Sequence, residues 1–366
     1  MIPGLRRLAV LVPAALLCVA VLSVVGQVAT ALAAATKRDV VYRYFDEALS
    51  RQQAAASVVT WLPPGTSLDR PLGPAEERIV GLVLTQAWAA HAAALETGSP
   101  LGLADHFTGV ALDRAIHSID LPGARMVVLE QEARPVFFHA DGSLLQVETR
   151  ALIARFRLSE NGDLDAFSIM RDRTITTLRN EATGWRVFSH ERRGTADLPA
   201  IGEIRDIAPA AGINYYPSDT PWSRFWSEFD AAPIAADFAR IADLGANSVR
   251  VFLHRDDFLD PDRAPAALDH LETLLDLAGN EGLSVVPTLF DMRGGYETVT
   301  WANDMVYLAR VLPILSTSDH VAYVDLKNEP DLDMELHGRG QVEAWARAML
   351  AAARTIAPEL AYTIGW

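Results

Sequence analysis

Cysteine is nearly missing from this chain. Of its 366 residues only Cys18 is a cysteine, and it sits inside the first apolar segment. An intrachain disulfide is therefore excluded, and stability must come from packed cores. Positive charge is also scarce: 32 Lys and Arg face 47 Asp and Glu, giving a formal net charge of -15. No run of Lys or Arg is long enough to build a basic face, so repulsion argues against a nucleic-acid partner. His91, His106, His117, His139 and His190 are scattered, whereas metal ligands recur at short, regular intervals. No metal and no organic cofactor is expected.

What is present is apolar. Half the residues are hydrophobic and 22% are charged, the balance of a globular protein. The length allows two or three domains. Arg6 and Arg7 precede an apolar run over residues 8–35. That run exceeds the ~7–15 residues of a signal-peptide core and meets the ~20 residues a spanning helix needs. It has no polar face, which argues against a core helix. The arginines should stay cytoplasmic, so residues 1–37 are expected to anchor the chain in a membrane with its bulk outside. Lys37 and Arg38 on the far side oppose that bias, and Ala31 and Ala33 form a small-x-small cleavage pattern. A cleaved signal peptide and a secreted chain are the alternative.

Residues 39–192 read as a small α+β domain. An amphipathic pattern over 39–57 ends at Leu62-Pro63-Pro64-Gly65. A second helix is predicted over 74–96, with Pro at its first turn and Glu76 and Glu77 near its positive end. A third is predicted over 102–116. Strands follow over 126–132, 136–139, 144–158, 166–178 and 185–191. Asp141-Gly142, Asn161-Gly162 and Ala182-Thr183-Gly184 are hairpin signals between them. Helices followed by a meander of long antiparallel strands resemble, in topology, the nuclear transport factor 2-like domains. No residue set in this part points to catalysis, so packing, a scaffold role or homo-oligomerisation is expected of it. A linker is expected over 193–210, on Gly194, Pro199, Gly202 and Pro209.

From residue 211 the pattern alternates. Short apolar strands over 212–216, 247–253, 283–290, 321–326 and 360–366 are separated by helical patterns over 233–244, 264–278, 301–315 and 341–356. Pro313 is expected to end the third helix early. This βαβαβαβαβ order argues a parallel sheet covered by helices. A barrel and an open doubly wound sheet both fit it. The first turn has no Gly-rich phosphate loop, which counts against a dinucleotide fold. Polar groups gather at the C-terminal ends of the strands: Asn214 and Tyr216, Arg250 and His254, Asp291 and Arg293, then Asn328 and Glu329. A TIM barrel places its site on that one face.

Three pieces, Gly212-Ile213-Asn214-Tyr215, Leu244-Gly245-Ala246-Asn247-Ser248-Val249-Arg250 and Asp325-Leu326-Lys327-Asn328-Glu329-Pro330, resemble the clan A glycoside hydrolases, in particular the cellulase-like family 5. The resemblance covers residues 211–366. It implies an α/β fold with an incomplete (β/α)8 TIM barrel at the C-terminus, preceded by the α+β domain and the N-terminal helix. It also implies a retaining hydrolase of O-glycosidic bonds in a β-linked carbohydrate. Glu329 would be the general acid/base, protonating the departing oxygen and then deprotonating water. Asn328 would bond the 2-hydroxyl and Arg250 would orient the partner carboxylate. Asn214, Tyr216, His254 and Asp291 would bind substrate. Trp222, Trp226, Trp301 and Trp366 offer rings to stack on a sugar, Trp222 and Trp366 foremost. The segment following the third strand reads Asp291-Met292-Arg293, where the family often carries a histidine, so subsite contacts are expected to differ.

A complete barrel takes ~250 residues, and the family's nucleophile follows the seventh strand, so that carboxylate is expected beyond Trp366. The chain is thus expected to be a fragment, inactive alone. An inactive carbohydrate-binding barrel and a membrane-tethered envelope scaffold are the alternatives.

Overall fold

The structure is a computed structural model that describes residues 59–119, 123–182, 184–198 and 211–365. The expected N-terminal anchor, the helical pattern over 39–57, linker residues 199–210 and Trp366 lie outside the described residues.

The first part is a five-stranded sheet with helices on one face. A short strand β1 (Val59–Trp61) precedes helix α1 (Pro74–Thr97). Pro74 starts that helix, the Glu76 carboxylate accepts from the Gly73 N–H at 3.1 Å, and Gly98 ends it at φ +67°. These are start and stop signals legible in sequence. The helix predicted over 102–116 is two helices, α2 (Leu103–His106) and α3 (Gly109–His117). The break has a cause in tertiary structure: Phe107 is extended and bridges Val187, and the Thr108 N–H donates to the Val187 carbonyl at 2.8 Å.

Strands β2 (Ala124–Phe138), β3 (Leu144–Leu158), β4 (Leu164–Glu181) and β5 (Gly184–Asp197) form an antiparallel meander, with β1 added parallel to β2. Gly142 and Gly162 take φ +76° and +83° in the hairpin turns, conformations that cost an L side chain strain. The two strands expected over 126–132 and 136–139 are one, irregular at Leu129 and Val136. Pro135 lies beyond the reach of β1 and removes no ladder bond there. β5 runs to Asp197, so residues 193–197 continue the sheet rather than begin a linker.

The two faces of this sheet have different partners. Met126, Ala151 and Ile153 pack against Ala92 and Leu95 of α1. Val127, Leu152, Ala154 and Phe156 point the other way, into the core of the C-terminal segment. Among the described residues α1 is the one helix long and apolar enough to cross a membrane, and 50% of that stretch is buried in the protein.

The second sheet has five parallel strands, β6 (Gly212–Tyr215), β7 (Ser248–Phe252), β8 (Ser284–Thr288), β9 (Val324–Asp325) and β10 (Tyr362–Thr363). Their order in space is their order in sequence. Between them come α4 (Arg224–Ser227), α5 (Ala231–Asp243), α6 (Arg255–Leu259), α7 (Ala264–Asn280), α8 (Trp301–Thr317), α9 (Pro330–His337) and α10 (Arg339–Ile356). A doubly wound sheet reverses strand order and has apolar residues on both faces. Here no reversal occurs. Val249, Val251, Val285, Val324 and Leu326 join the helix-side core, while the alternate positions read Asn214, Ser248, Arg250, Phe252, Ser284, Val286, Thr288 and Asp325. A parallel order without reversal, with helices on one side, is that of part of a barrel. Helix α8 runs through Pro313 rather than ending there, because Val311, Leu312 and Leu315 are fully buried and hold the turn in place.

The two sheets share one core. Phe156 of β3 stacks on Trp301 of α8 with centroids 5.5 Å apart, and Arg125 of β2 bonds the Gln341 side chain of α10. The described residues of both sheets fall in one compact unit.

Candidate active site

Strand β9 carries an aspartate, a lysine and the Asn-Glu pair toward one end of the parallel sheet. Lys327 donates from Nζ to the Asn328 carbonyl at 2.8 Å and pairs with Asp333 of α9 at 3.2 Å. The Tyr296 hydroxyl bonds the same Asp333 oxygen. The chain reverses at Glu329, which takes φ +45° and ψ +55°, and Pro330 then starts α9. A left-handed glutamate is costly. Among the described residues only Trp222, Met292 and Glu329 are non-glycine residues with positive φ. All three lie in loops that follow strands, after β6, β8 and β9. Backbone strain is thus gathered at the end of the sheet where a barrel carries its chemistry.

Arg250 of β7 organises that end. Its Nε donates to Thr288 Oγ1 at 2.9 Å, and its Nη2 donates to Asn328 Oδ1 at 2.9 Å and to the Asp325 carboxylate. The Thr288 hydroxyl donates to Asp325 at 3.2 Å, and the Gly365 N–H reaches the other Asp325 oxygen at 3.1 Å. Because the Asn328 carbonyl oxygen faces Arg250, its amide nitrogen faces Glu329, with Nδ2 3.4 Å from Oε2. The Glu329 side chain is exposed.

A second set of contacts ties β6 to the loop after β8. The Tyr216 hydroxyl donates to Asp291 Oδ2 at 3.3 Å, and its ring lies flat on Phe252 at 5.2 Å. Burial pushes the Asp291 carboxyl above the usual carboxylate range, while Lys327, Tyr216 and Arg250 oppose the rise. Trp222 is 58% exposed and its ring centre is 4.9 Å from that of Tyr216. Trp222 thus presents an exposed ring beside the half-buried Tyr216, tilted 35° from it.

Tyr216, Arg250, Asp291, Asn328 and Glu329 therefore surround one region, with Trp222 at its rim. Asn214 is exposed on β6, in register with Arg250. His254 turns toward its own helix: Nδ1 is 3.1 Å from Asp257, a buried carboxylate also held by Arg263. Arg293 leaves the mouth altogether and pairs with Asp304 at 2.6 Å, beside Trp345. Trp226 and Trp301 are buried core residues and offer no ring to a sugar. Sequence reasoning missed Thr288, Asp325 and Lys327. A signal existed, since Asp325 and Lys327 interrupt an apolar strand at alternate positions and so share a face.

A scan against protein-family models finds no match, and a search of curated proteins finds none. Among solved structures, an exo-beta-1,4-mannosidase, Op5Man5, from Opitutaceae bacterium strain TAV5 is 29% identical. The likeness covers 44% of this chain and 33% of that one, at a TM-score of 0.40. A GH5_18 structure from Streptomyces cattleya in complex with GlcNAc is 25% identical, with 42% of this chain and 43% of that one covered, at a TM-score of 0.35. Part of this chain is similar to glycoside hydrolases of family 5. The chain spans less than half the length of either solved structure. The intermembrane space region of the chloroplast protein ARC6 is 17% identical, over 31% of this chain and 94% of that one, at a TM-score of 0.27.

Proposed function

We propose that residues 211–365 carry part of the active site of a retaining glycoside hydrolase acting on β-linked sugars, with Glu329 as the general acid/base. The observation that carries this reading is the fixed Asn328-Glu329 pair. Arg250 orients the Asn328 amide, and the strained turn at Glu329 directs an exposed carboxyl off the strand end. In the first step the second carboxylate of a retaining site attacks the anomeric carbon, the Glu329 acid gives its proton to the departing glycosidic oxygen, and a glycosyl ester forms. In the second step the Glu329 carboxylate takes a proton from water, which attacks the same carbon and expels the second carboxylate. The Asn328 amide bonds the 2-hydroxyl, a contact that tightens as positive charge grows on the ring. Trp222 and Tyr216 line the face of a sugar. A retaining site needs a second carboxyl ~5 Å from the first, and that role is assigned to none of the described residues.

The test uses the native protein as its own cells make it, with 4-nitrophenyl β-glycosides of glucose, mannose and xylose. Glu329→Ala is expected to leave the glycosyl-enzyme step of an activated substrate largely intact and to slow its hydrolysis at least ~100-fold, the range of general acid–base contributions. Added azide, a nucleophile that needs no base, should restore turnover and yield the β-glycosyl azide. Normal hydrolysis by Glu329→Ala would sink the assignment. An α-azide product would sink the retaining mechanism.

A further inference from the structure

The face of the first sheet turned away from the parallel sheet carries a partly open cavity of about 350 Å³ between β3, β4, β5 and helices α1 and α3. That is the lower end of the ~300–1,000 Å³ range of small-molecule sites. Leu84, Trp88, Phe107 and Val187 supply apolar wall, and Ala111 and Ala115 of α3 leave the space open.

The polar groups of this cavity are nearly all occupied with one another. His91 Nε2 is 2.6 Å from Ser118 Oγ, and His190 Nδ1 is 2.9 Å from Thr176 Oγ1. Arg114 donates to the His190 carbonyl at 3.0 Å. Arg192 pairs at 3.1 Å with Asp172, a buried carboxylate that also accepts from Thr195. Arg155 is different. It lines the cavity from near the C-terminal end of β3, and its Nε is buried without a hydrogen-bond partner. Among the described residues no carboxylate lines the cavity. Asp172 is the acidic group near it, and Arg192 already neutralises that charge. Burial drives the two histidines down to about 4, so both rings are neutral at pH 7, and Asp172 is the acidic group that acts on Arg155. A guanidinium with an unbonded Nε on a largely apolar pocket is matched by a carboxylate, which can take parallel N–H bonds from the guanidinium fork.

We propose that this cavity binds a small apolar molecule bearing one carboxylate, its carboxylate on Arg155 and its body against Trp88 and Phe107. The site is separate from the parallel sheet and independent of the glycosidase reading. Isothermal titration of the 366-residue chain with 1-naphthoate, octanoate and 1-naphthamide tests it. One or both acids should bind saturably at one site per chain, with naphthamide at least tenfold weaker than naphthoate. Arg155→Met keeps the apolar stem and removes the fork, and should weaken the acids at least tenfold. Ala111→Phe fills the space and should abolish binding. If neither acid binds at ~10 mM, weaker than any specific site of this size would be, the proposal is overturned. It is equally overturned if the amide binds as tightly as naphthoate, or if Ala111→Phe leaves binding unchanged. Should Arg155→Met fail to fold, the acid–amide comparison on the unaltered chain still decides.

Discussion

Removing Arg250 would leave Asp325 buried without a cation, since the carboxylate is almost wholly enclosed. An uncompensated buried charge costs about 3–5 kcal/mol. Arg250→Met is therefore expected to lower the unfolding free energy read from urea titration by that amount, and Arg250→Met with Asp325→Asn should recover most of the loss because the charge goes too. Arg250→Lys keeps the charge but lacks the fork that reaches Thr288, Asp325 and Asn328 together, so it should fall between. Equal stability of the single and double variants would show that the ion pair is not what holds this end of the sheet. His91 and His190 make a second case. Their rings stay neutral in the folded chain down to about pH 4, against 6.5 for an ordinary histidine. Between those values the unfolded chain takes up protons that the folded chain refuses. Stability is thus full above pH 6.5 and falls as the pH drops toward 4, by at most roughly 3.4 kcal/mol for each ring. His190→Gln should flatten the fall in urea midpoint between pH 6.5 and 4.5, and an unchanged slope would contradict the buried, neutral state of that ring.

Elements meet at places where a single atom decides the fit. Gly340 opens α10 beside the β3–β4 hairpin, and its N–H donates to the Gly162 carbonyl at 3.1 Å. A methyl group there would lie 2.5 Å from that carbonyl oxygen and 2.6 Å from the Leu164 nitrogen, both backbone atoms. In a free helix Gly→Ala gains roughly 0.5–1 kcal/mol. Here overpacking of about 1–3 kcal/mol should outweigh it, so Gly340→Ala is expected to lower the melting temperature, and a rise would mean the hairpin is not docked there. The same contrast explains what was legible in the sequence. Alternation and turn glycines are local signals, so β3, β4 and the hairpins at Gly142 and Gly162 could be read directly. So could the strand–helix alternation after residue 211 and the Asn328-Glu329 pair. The break at Phe107 could not, because its cause is Val187 in a distant strand. Pro313 reads as a stop unless the burial of Leu312 and Leu315 is known. Thr288 has no motif around it and joins the site only because β8 lies between β7 and β9. His91 and His190 looked scattered for the same reason, since only the folded sheet brings them to one cavity with Arg155.

At the scale of the whole molecule, the shared core makes a claim about cooperativity. Val127, Leu152 and Phe156 from the first sheet lie in the same buried cluster as Trp301, Trp345 and Leu308 from the helices of the second. Neither sheet can bury this surface alone, and at about 25 cal/mol per Å² its exposure would cost several kcal/mol. Two domains joined by a linker would melt in two steps, each with its own enthalpy. One core melts in one step, with calorimetric and van't Hoff enthalpies equal. Differential scanning calorimetry of the chain is expected to give a single transition. Phe156→Ala, which deletes a stacked ring at the junction, should lower that transition by the equivalent of about 3–5 kcal/mol without splitting it. Strand loss and helix loss, followed by infrared spectroscopy, should keep a common midpoint. If Phe156→Ala instead leaves the helical midpoint unmoved while the strands melt early, the junction is a contact between independent domains. A binding event in the cavity of the first sheet would then carry no energy to the loops around Glu329.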